Sequence, residues 1–402
     1  MRVRLRNPER VETLPGPLTV AEVLDRLDVP AHTVLVIHDG QLVTAGHELG
    51  DDAEIEIRPV ISGGAGSSPR CVQCRAPAVI EEPRHRSAWC PDHFVDHVTM
   101  QVRKAIDHPP LADPHERMFH YGDRLLVAVS GGKDSLALWD VLLGLGYDVD
   151  GLYVGLGIGG YSRRSQEICE GFAEARGVRL HVVSLAETYG YTTPSGSAAA
   201  GRSTCGVCGL SKRYAFNKVA VDEGYDVVVT GHNLDDEAAT LLGNVLRWQD
   251  DFLARQRPVL PATGTNQVRK VKPLYRLSER EMAAYCVVRG IDYVVEECPL
   301  VDGNTGHELK AALDALEAGA PGTKAQFLFG FLDRHAAKWS DDAPGAEPLE
   351  LAACTTCGMP TTVEVCAFCR QRERILAALP LFEGASDDAA AAADAPAADA
   401  PA

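Results

Sequence analysis

Residues 127–135 read Val-Ala-Val-Ser-Gly-Gly-Lys-Asp-Ser, an apolar strand-forming run that breaks into a glycine pair and then a helix start. No other stretch restricts the fold as tightly. The N–H groups freed at Gly131 and Gly132 can surround a phosphate, and a helix beginning near Lys133 aims its positive end at the same point. Lys133 adds a mobile cation, Ser130 and Ser135 add hydroxyls, and Asp134 lies among them. A Walker A loop needs four residues between its glycines and a Gly-Lys-Ser/Thr ending, and this run has neither.

The flanking pattern sets the loop in a larger frame. Strands are expected at Leu125–Val129, Asp150–Gly155, Arg179–Leu185 and Asp226–Thr230, with helices at Ser135–Leu145, Ser165–Arg176, Leu210–Glu223 and Asp235–Leu246. Apolar strands in βα units of roughly thirty residues argue for an α/β fold with a doubly wound parallel sheet. Ligands of such sheets sit at the carboxyl ends of the strands, where both Ser130 and Gly231 fall. Residues 230–238, Thr-Gly-His-Asn-Leu-Asp-Asp-Glu-Ala, then supply a second half-site. Gly231 allows close backbone approach, and Asp235, Asp236 and Glu237 can hold Mg²⁺ on ATP phosphates or handle a proton. Acids favoured by a helix N-terminus are the plainer account of those three residues.

At 402 residues the chain is long enough for two or three domains. Its formal charge of −17 argues against nonspecific adhesion to nucleic acid. Basic residues nevertheless cluster at Arg202, Lys212, Arg213 and Lys218, and again at Arg247, Arg255, Arg257, Arg269, Lys270 and Lys272. A basic groove on an acidic body is compatible with that distribution. The Asp/Ala/Pro tail of residues 383–402 lacks apolar periodicity and is expected to be disordered. No apolar run approaches the roughly 20 residues of a membrane helix, and the Arg-studded N-terminus lacks a signal peptide's apolar stretch. Cytoplasmic placement without membrane association is therefore expected, where thiols stay reduced.

Twelve cysteines in such a compartment point to metals rather than disulfides, and ten of them are patterned. Cys71-x-x-Cys74 with Cys90-x-x-His93 has the spacing of a structural zinc knuckle, as does Cys354-x-x-Cys357 with Cys366-x-x-Cys369. Four protein ligands close each site, so two structural Zn²⁺ ions are expected. Cys205-x-x-Cys208 lies in a Gly/Ser/Thr-rich stretch read as a loop ahead of a helix, and Cys298 precedes Pro299. Three thiolates can hold a [4Fe–4S] cluster by three irons and leave the fourth open. A persulfide-carrying Cys-x-x-Cys pair is the rival chemistry, and buried unreactive cysteines are the plain alternative. Cys169 and Cys286 sit in apolar helical contexts and read as core.

Ser-Gly-Gly-x-Asp-Ser resembles the PP-loop of ATP pyrophosphatases, which adenylate a carbonyl oxygen and release pyrophosphate. Residues 1–61 alternate strand, strand, helix and strands, with Thr19 capping Val20–Leu27, and resemble a β-grasp. The following Ser62-Gly63-Gly64 resembles the diglycine end of ThiS/MoaD/TtuB-like ubiquitin-fold sulfur carriers, whose terminal carboxylate becomes a thiocarboxylate. Here Gly64 is internal, so a carboxylate there requires a cut. A β-grasp adaptor followed by a Gly/Ser linker is the alternative. Together, the PP-loop, Gly-His-Asn-x-Asp-Asp, Cys-x-x-Cys, the distant Cys-Pro and the flanking knuckles resemble the TtuA-type tRNA 2-thiouridine synthetases. Val271-Lys-Pro-Leu274 resembles a run of PP-loop tRNA-thiolating enzymes.

That resemblance implies a tRNA sulfurtransferase using ATP and Mg²⁺, with Cys205, Cys208 and Cys298 on the cluster and Lys212 and Asp236 close to the chemistry. Domain boundaries follow: a carrier at 1–64, a linker at 65–70, an N-terminal zinc finger at 71–110, a PP-loop thiolation domain at 111–340 and a zinc ribbon at 350–375. The implied partners are tRNA, a ubiquitin-activating-type adenylating enzyme, a cysteine desulfurase or sulfide source, a protease cutting after Gly64, and a second copy of the chain as a homodimer. An amidotransferase or lysidine-type PP-loop enzyme would share the ATP site but leave the three cysteines without a role, and the intact Ser-Gly-Gly-Lys-Asp-Ser weighs against a non-enzymatic zinc-ribbon RNA adaptor.

Overall fold

The computed structural model describes residues 1–6, 9–29, 31–59, 69–110, 116–262, 264–301, 305–336 and 351–382. The expected diglycine Gly63-Gly64, most of the linker and the acidic tail lie outside the described residues.

The N-terminal unit is a mixed five-stranded sheet crossed by one helix. Arg2–Leu5 pairs antiparallel with Arg10–Thr13 and parallel with Glu54–Pro59, which continues to Val34–His38 and Gln41–Val43. Thr19 and Glu22 form a reciprocal capping box at the start of the helix Val20–Arg26, as the sequence indicates. Strand alternation then splits Val34–His38 between two cores. Val34 and Val36 join the domain's own interior with Val3, Val23 and Ile57. Leu35 and Ile37 turn the other way and, with Leu42, join the core of the following domain. The strand Gln41–Val43 packs on the helix Glu279–Arg289. The β-grasp is therefore docked on the domain that follows it.

A short hairpin, Ile80–Glu82 with Ser87–Trp89, leads into the helix Pro91–Asp107. Beyond it lies a six-stranded sheet in the order Leu180–Ser184, Val149–Gly155, Leu125–Val129, Val227–Thr230, Arg269–Val271 and Val259–Leu260. The first five strands are parallel and the last is antiparallel. Leu125, Leu126 and Val127 have no exposed surface, which a sheet covered by helices on both faces demands. Leu125–Val129 is flanked by the second strand on one side and the fourth on the other, so its carboxyl end is the topological switch point.

Two helices that the sequence reading did not assign, Thr305–Gly319 and Thr323–Arg334, pack on the helix Leu234–Leu246. The C-terminal four-cysteine module ends in the helix Ala367–Phe382, which packs on Thr193–Ala200 and Thr204–Asp222. Its Phe368 ring stacks on Tyr214 at 3.7 Å between centroids. Among the described residues, no helix is long and apolar enough to cross a membrane.

Candidate active site: a phosphate loop and three thiols

The loop after Leu125–Val129 is shaped by two close approaches. Gly131 adopts φ +77°, and a Cβ there would lie 2.8 Å from the Ser165 carbonyl oxygen. A Cβ on Gly231 would lie 2.9 Å from the Ser135 nitrogen, so the neighbouring strand end touches the loop backbone directly. Side chains brace the turn: the Ser135 hydroxyl donates to the Gly132 carbonyl at 3.0 Å and accepts from the Ser130 N–H at 3.2 Å. Gly132 serves as N-cap of the helix Lys133–Gly144 with no capping side chain, leaving the helix start open toward an anion.

Facing this turn is the start of Leu234–Leu246, capped by Asn233 in a box with Asp236. The Asn233 amide also donates to Asp134 at 2.9 Å and ties the two half-sites together. Asp236 pairs with Lys310 at 2.6 Å. Lys133 pairs with Glu279 at 2.7 Å and with Asp134 at 3.3 Å. Burial pushes Asp134 up to about 6, against the pull of Lys133. Lys133 is raised because its carboxylate neighbours, Asp134 first, outweigh the cost of burial. Glu279 and Lys310 carry no motif signature, and spacing alone gave no means to find them.

Asp235 differs from its expected role at the nucleotide. It is buried, bonded to Lys324, and accepts the Glu279 N–H at 2.8 Å. Both oxygens are engaged by groups of the protein, so it acts as a strut for the start of Glu279–Arg289. Glu237 is likewise held, by Lys272 at 2.8 Å and by Gln256 at 3.0 Å.

The cysteine pair also departs from the loop reading. Ser203 accepts the Gly206 N–H and caps a helix spanning Thr204–Asp222, so Cys205 and Cys208 lie in its first turns. Spacing of i, i+3 and i+7 sets Cys205, Cys208 and Lys212 along one face. Burial raises the Cys208 thiol, while Lys212 lowers it and Cys298 and Cys205 raise it further, which places those three groups each within electrostatic reach of Cys208. The Tyr161 phenol is raised by burial and then by Cys298 and Cys208. Tyr161, Lys212 and Ser165 line one cleft with Ser130 of the phosphate loop. Cys169 and Cys286 are buried with their thiols pushed up, as the core reading requires.

The other cysteines form two tetrads, Cys71, Cys74, Cys90 and His93, and Cys354, Cys357, Cys366 and Cys369, each with its donor atoms within 4.8 Å of one another. The Cys74–Cys90 and Cys357–Cys366 sulfurs lie 3.7 and 3.8 Å apart. A tetrahedron with Zn–S bonds of about 2.3 Å has edges of about 3.8 Å, so the donor sets fit zinc. Among the described residues, Cys205, Cys208 and Cys298 form no such compact single-ion group. Cys208 and Cys298 border one apolar cluster and Cys205, one turn before Cys208, is exposed, a spread of thiols that suits a multi-iron cluster better than one ion. Part of the basic residue set is neutralised within the chain: Lys218 pairs with Asp222, Lys272 with Glu237, and Arg269 with Glu116 at 3.4 Å.

Three family models match successive parts of the chain. Residues 111–299 match the PP-loop domain family, residues 70–95 the N-terminal LIM domain of the 2-thiouridine synthetase TtuA, and residues 2–64 the ThiS family. Over 305 residues the chain is 47% identical to the tRNA-5-methyluridine(54) 2-sulfurtransferase of Thermus thermophilus, covering 76% of this chain and 91% of the relative. The Pyrococcus horikoshii protein of the same name is 40% identical over 75% of this chain and 93% of its own. The U34-tRNA thiolase NcsA from Methanococcus maripaludis, solved with its [4Fe-4S] cluster, shares the fold with a TM-score of 0.58 at 23% identity, over 65% of this chain and 86% of that one. With its phosphate loop, LIM-type knuckle and sulfurtransferase relatives in one register, the chain belongs to the TtuA-type tRNA 2-thiouridine synthetase family.

Proposed function

We propose that the chain replaces O2 of a tRNA uridine, such as a 5-methyluridine, with sulfur at the expense of ATP. The observation that carries this reading is the shared cleft: Ser130 of the phosphate loop and Lys212 of the cysteine helix line the same space. ATP lies over Ser130–Ser135, its phosphates taking the N–H groups of the loop and the cation of Lys133. Asp134 and Asp236, on facing helix starts, meet the Mg²⁺ that accompanies ATP. The uridine O2 attacks the α-phosphate, pyrophosphate leaves, and the oxygen becomes part of a good leaving group. Sulfide then adds at C2 and AMP departs with the former O2.

Cys205, Cys208 and Cys298 would hold a [4Fe–4S] cluster, which when bound supplies one iron free of protein ligands where inorganic sulfur can be kept. Lys212, one helical turn beyond Cys208, orients the α-phosphate or the base, and Asp236 handles the proton. The two tetrads carry structural zinc. Arg213 and Lys270, close to each other and both lowered by burial, line the approach for the RNA backbone. The β-grasp is the sulfur carrier, charged by a ubiquitin-activating-type enzyme after a cut behind Gly64, with a cysteine desulfurase or sulfide as the ultimate source. The reaction takes place in the cytoplasm.

The experiment is pyrophosphate release by the anaerobically prepared protein with tRNA. Lys133→Ala is expected to abolish tRNA-dependent release while the fold and zinc content persist. Normal turnover in that variant would remove the phosphate-loop assignment.

A further inference from the structure

Six side chains beside the phosphate loop close into a ring. Lys133 Nζ donates to Glu279 Oε1 at 2.7 Å and to Asp134 Oδ2 at 3.3 Å. Lys310 Nζ donates to Glu279 Oε2 at 3.2 Å and pairs with Asp236 Oδ1 at 2.6 Å. Asn233 closes the circuit, its backbone N–H reaching Asp236 at 3.2 Å and its amide reaching Asp134 at 2.9 Å. Four segments distant in sequence contribute: the starts of Lys133–Gly144, Leu234–Leu246 and Glu279–Arg289, and the body of Thr305–Gly319.

Glu279 holds the central place in this ring. One oxygen takes the ammonium of Lys133 and the other takes that of Lys310. Two cations on opposite oxygens of one anion is the arrangement that a phosphate would receive from the same pair. The backbone that carries it is fixed in turn, because the Glu279 N–H donates to Asp235, which Lys324 anchors. Burial favours the neutral acid, but Lys133 and Lys310 outweigh it and hold Glu279 down to about 2. Held by these two cations, it is an anion at neutral pH.

We propose that Glu279 is a built-in counter-anion that occupies Lys133 until ATP arrives. Lys310 is the positioning residue that retains Glu279 and Asp236 once Lys133 moves to the triphosphate. This rests on the reading of Ser130–Ser135 as the ATP site. The exchange sets ATP affinity through charge. Releasing Lys133 from a carboxylate opposes binding, so removing the charge of Glu279 should help ATP. Removing the charge of Lys310 leaves two carboxylates uncompensated beside the incoming phosphates and should hinder it. A merely structural role for either residue predicts weaker binding in both variants.

The test is calorimetric titration of the full-length holoprotein with Mg²⁺ and a non-cleavable α,β-methylene ATP. Glu279→Gln is expected to lower Kd about fivefold, and Lys310→Met to raise it about tenfold. Lys310→Arg should restore affinity to within about threefold of the parent, since it keeps the charge. The double variant Glu279→Gln with Lys310→Met should fall near the parent, because the two effects oppose each other across a shared contact. Zinc content and thermal midpoint establish that each variant is folded. Unchanged or weakened binding in Glu279→Gln overturns the proposal, as does unchanged binding in Lys310→Met. Failure of the parent protein to bind the nucleotide overturns the ATP-site reading itself, a separate result.

Discussion

The guanidinium of Arg58 lies 5.3 Å from the centre of the Tyr293 ring, so the last strand of the β-grasp ends against the segment bordering the phosphate loop. The adjacent Val294 donates its N–H to the Gly131 carbonyl at 2.9 Å. The β-grasp sheet and the phosphate loop are thus linked through two neighbouring residues. Burial raises the Tyr293 phenol while Arg58 opposes that rise, as expected for a cation held over a desolvated ring.

The docked sheet can be separated from the folded sheet by mutation. Leu35→Asp with Ile37→Asp puts two carboxylates into the apolar contact with the enzyme domain, at a cost of several kcal/mol. The domain should detach yet stay folded, because Val34 and Val36 still fill its own core. Val36→Asp should instead unfold it. Limited proteolysis with small-angle scattering reads the difference: the double variant expands while residues 1–59 remain resistant, and Val36→Asp loses that resistant fragment. Equal digestion of the two would contradict the two-core reading of the strand.

Gly131→Ala and Gly231→Ala probe the loop. Each added methyl would sit within 3 Å of backbone atoms, and at Gly131 the positive φ adds strain. We expect a loss of about 1–3 kcal/mol in stability and of about 100-fold in tRNA-dependent pyrophosphate release, because a shift of about 1 Å misplaces the phosphate. Pyrophosphate assay and thermal melts check both. Full activity in Gly231→Ala would show that the loop does not depend on that approach.

Much of this was legible from residue patterns. The strand Leu125–Val129 has the bounds expected from its apolar run, and Thr19 caps its helix as its type indicates. Both metal tetrads follow from spacing, since ligands three apart must converge. What sequence hid was tertiary. Cys205 and Cys208 read as loop because glycines surround them, yet the Ser203 cap and packing against Phe368 and Ile375 carry the helix through. Asp235 looked equivalent to Asp236, and only tertiary contacts, to Lys324 89 residues away and to the Glu279 N–H, reveal that its oxygens are already engaged. Glu279 and Lys310 reach the loop through helices whose docking no local pattern encodes.

Metal content separates the three cysteine sets. Anaerobic protein should hold two zinc ions, one per tetrad, plus iron near four atoms per chain. Cys205→Ala, Cys208→Ala or Cys298→Ala should each lose the iron and the brown colour while keeping both zincs. Cys357→Ser should lose one zinc and loosen the helix Ala367–Phe382 from the cysteine helix. Elemental analysis with absorption spectra checks this, and colour surviving the loss of Cys298 would exclude the three-cysteine cluster.

Glu82 gives a pH signature at the contact between the N-terminal LIM-type module and the PP-loop domain. Burial, reinforced by Glu281, pushes it up to about 8 from an ordinary 4.5, with Arg280 and Arg84 opposing. The folded chain therefore binds a proton across that window and the unfolded chain does not. Stability from this group falls as pH rises through the window and levels off above about 8. Glu82→Gln should remove the decline, so that its thermal midpoint gains on the parent's from about pH 5.5 to about pH 8.5. A constant difference across that range would contradict the assignment.

The central claim is that one cleft activates uridine O2 with ATP and then exchanges it for sulfur. Its most direct measurement is the fate of that oxygen. Transfer RNA labelled with ¹⁸O at O2 of the target uridine, incubated anaerobically with the cluster-loaded protein, Mg-ATP and sulfide, should yield 2-thiouridine and an equal amount of AMP carrying the label. Unlabelled AMP, label in pyrophosphate, or 2-thiouridine formed without AMP would contradict adenylation of O2 and with it the joint use of the Ser130 loop and the Lys212 helix.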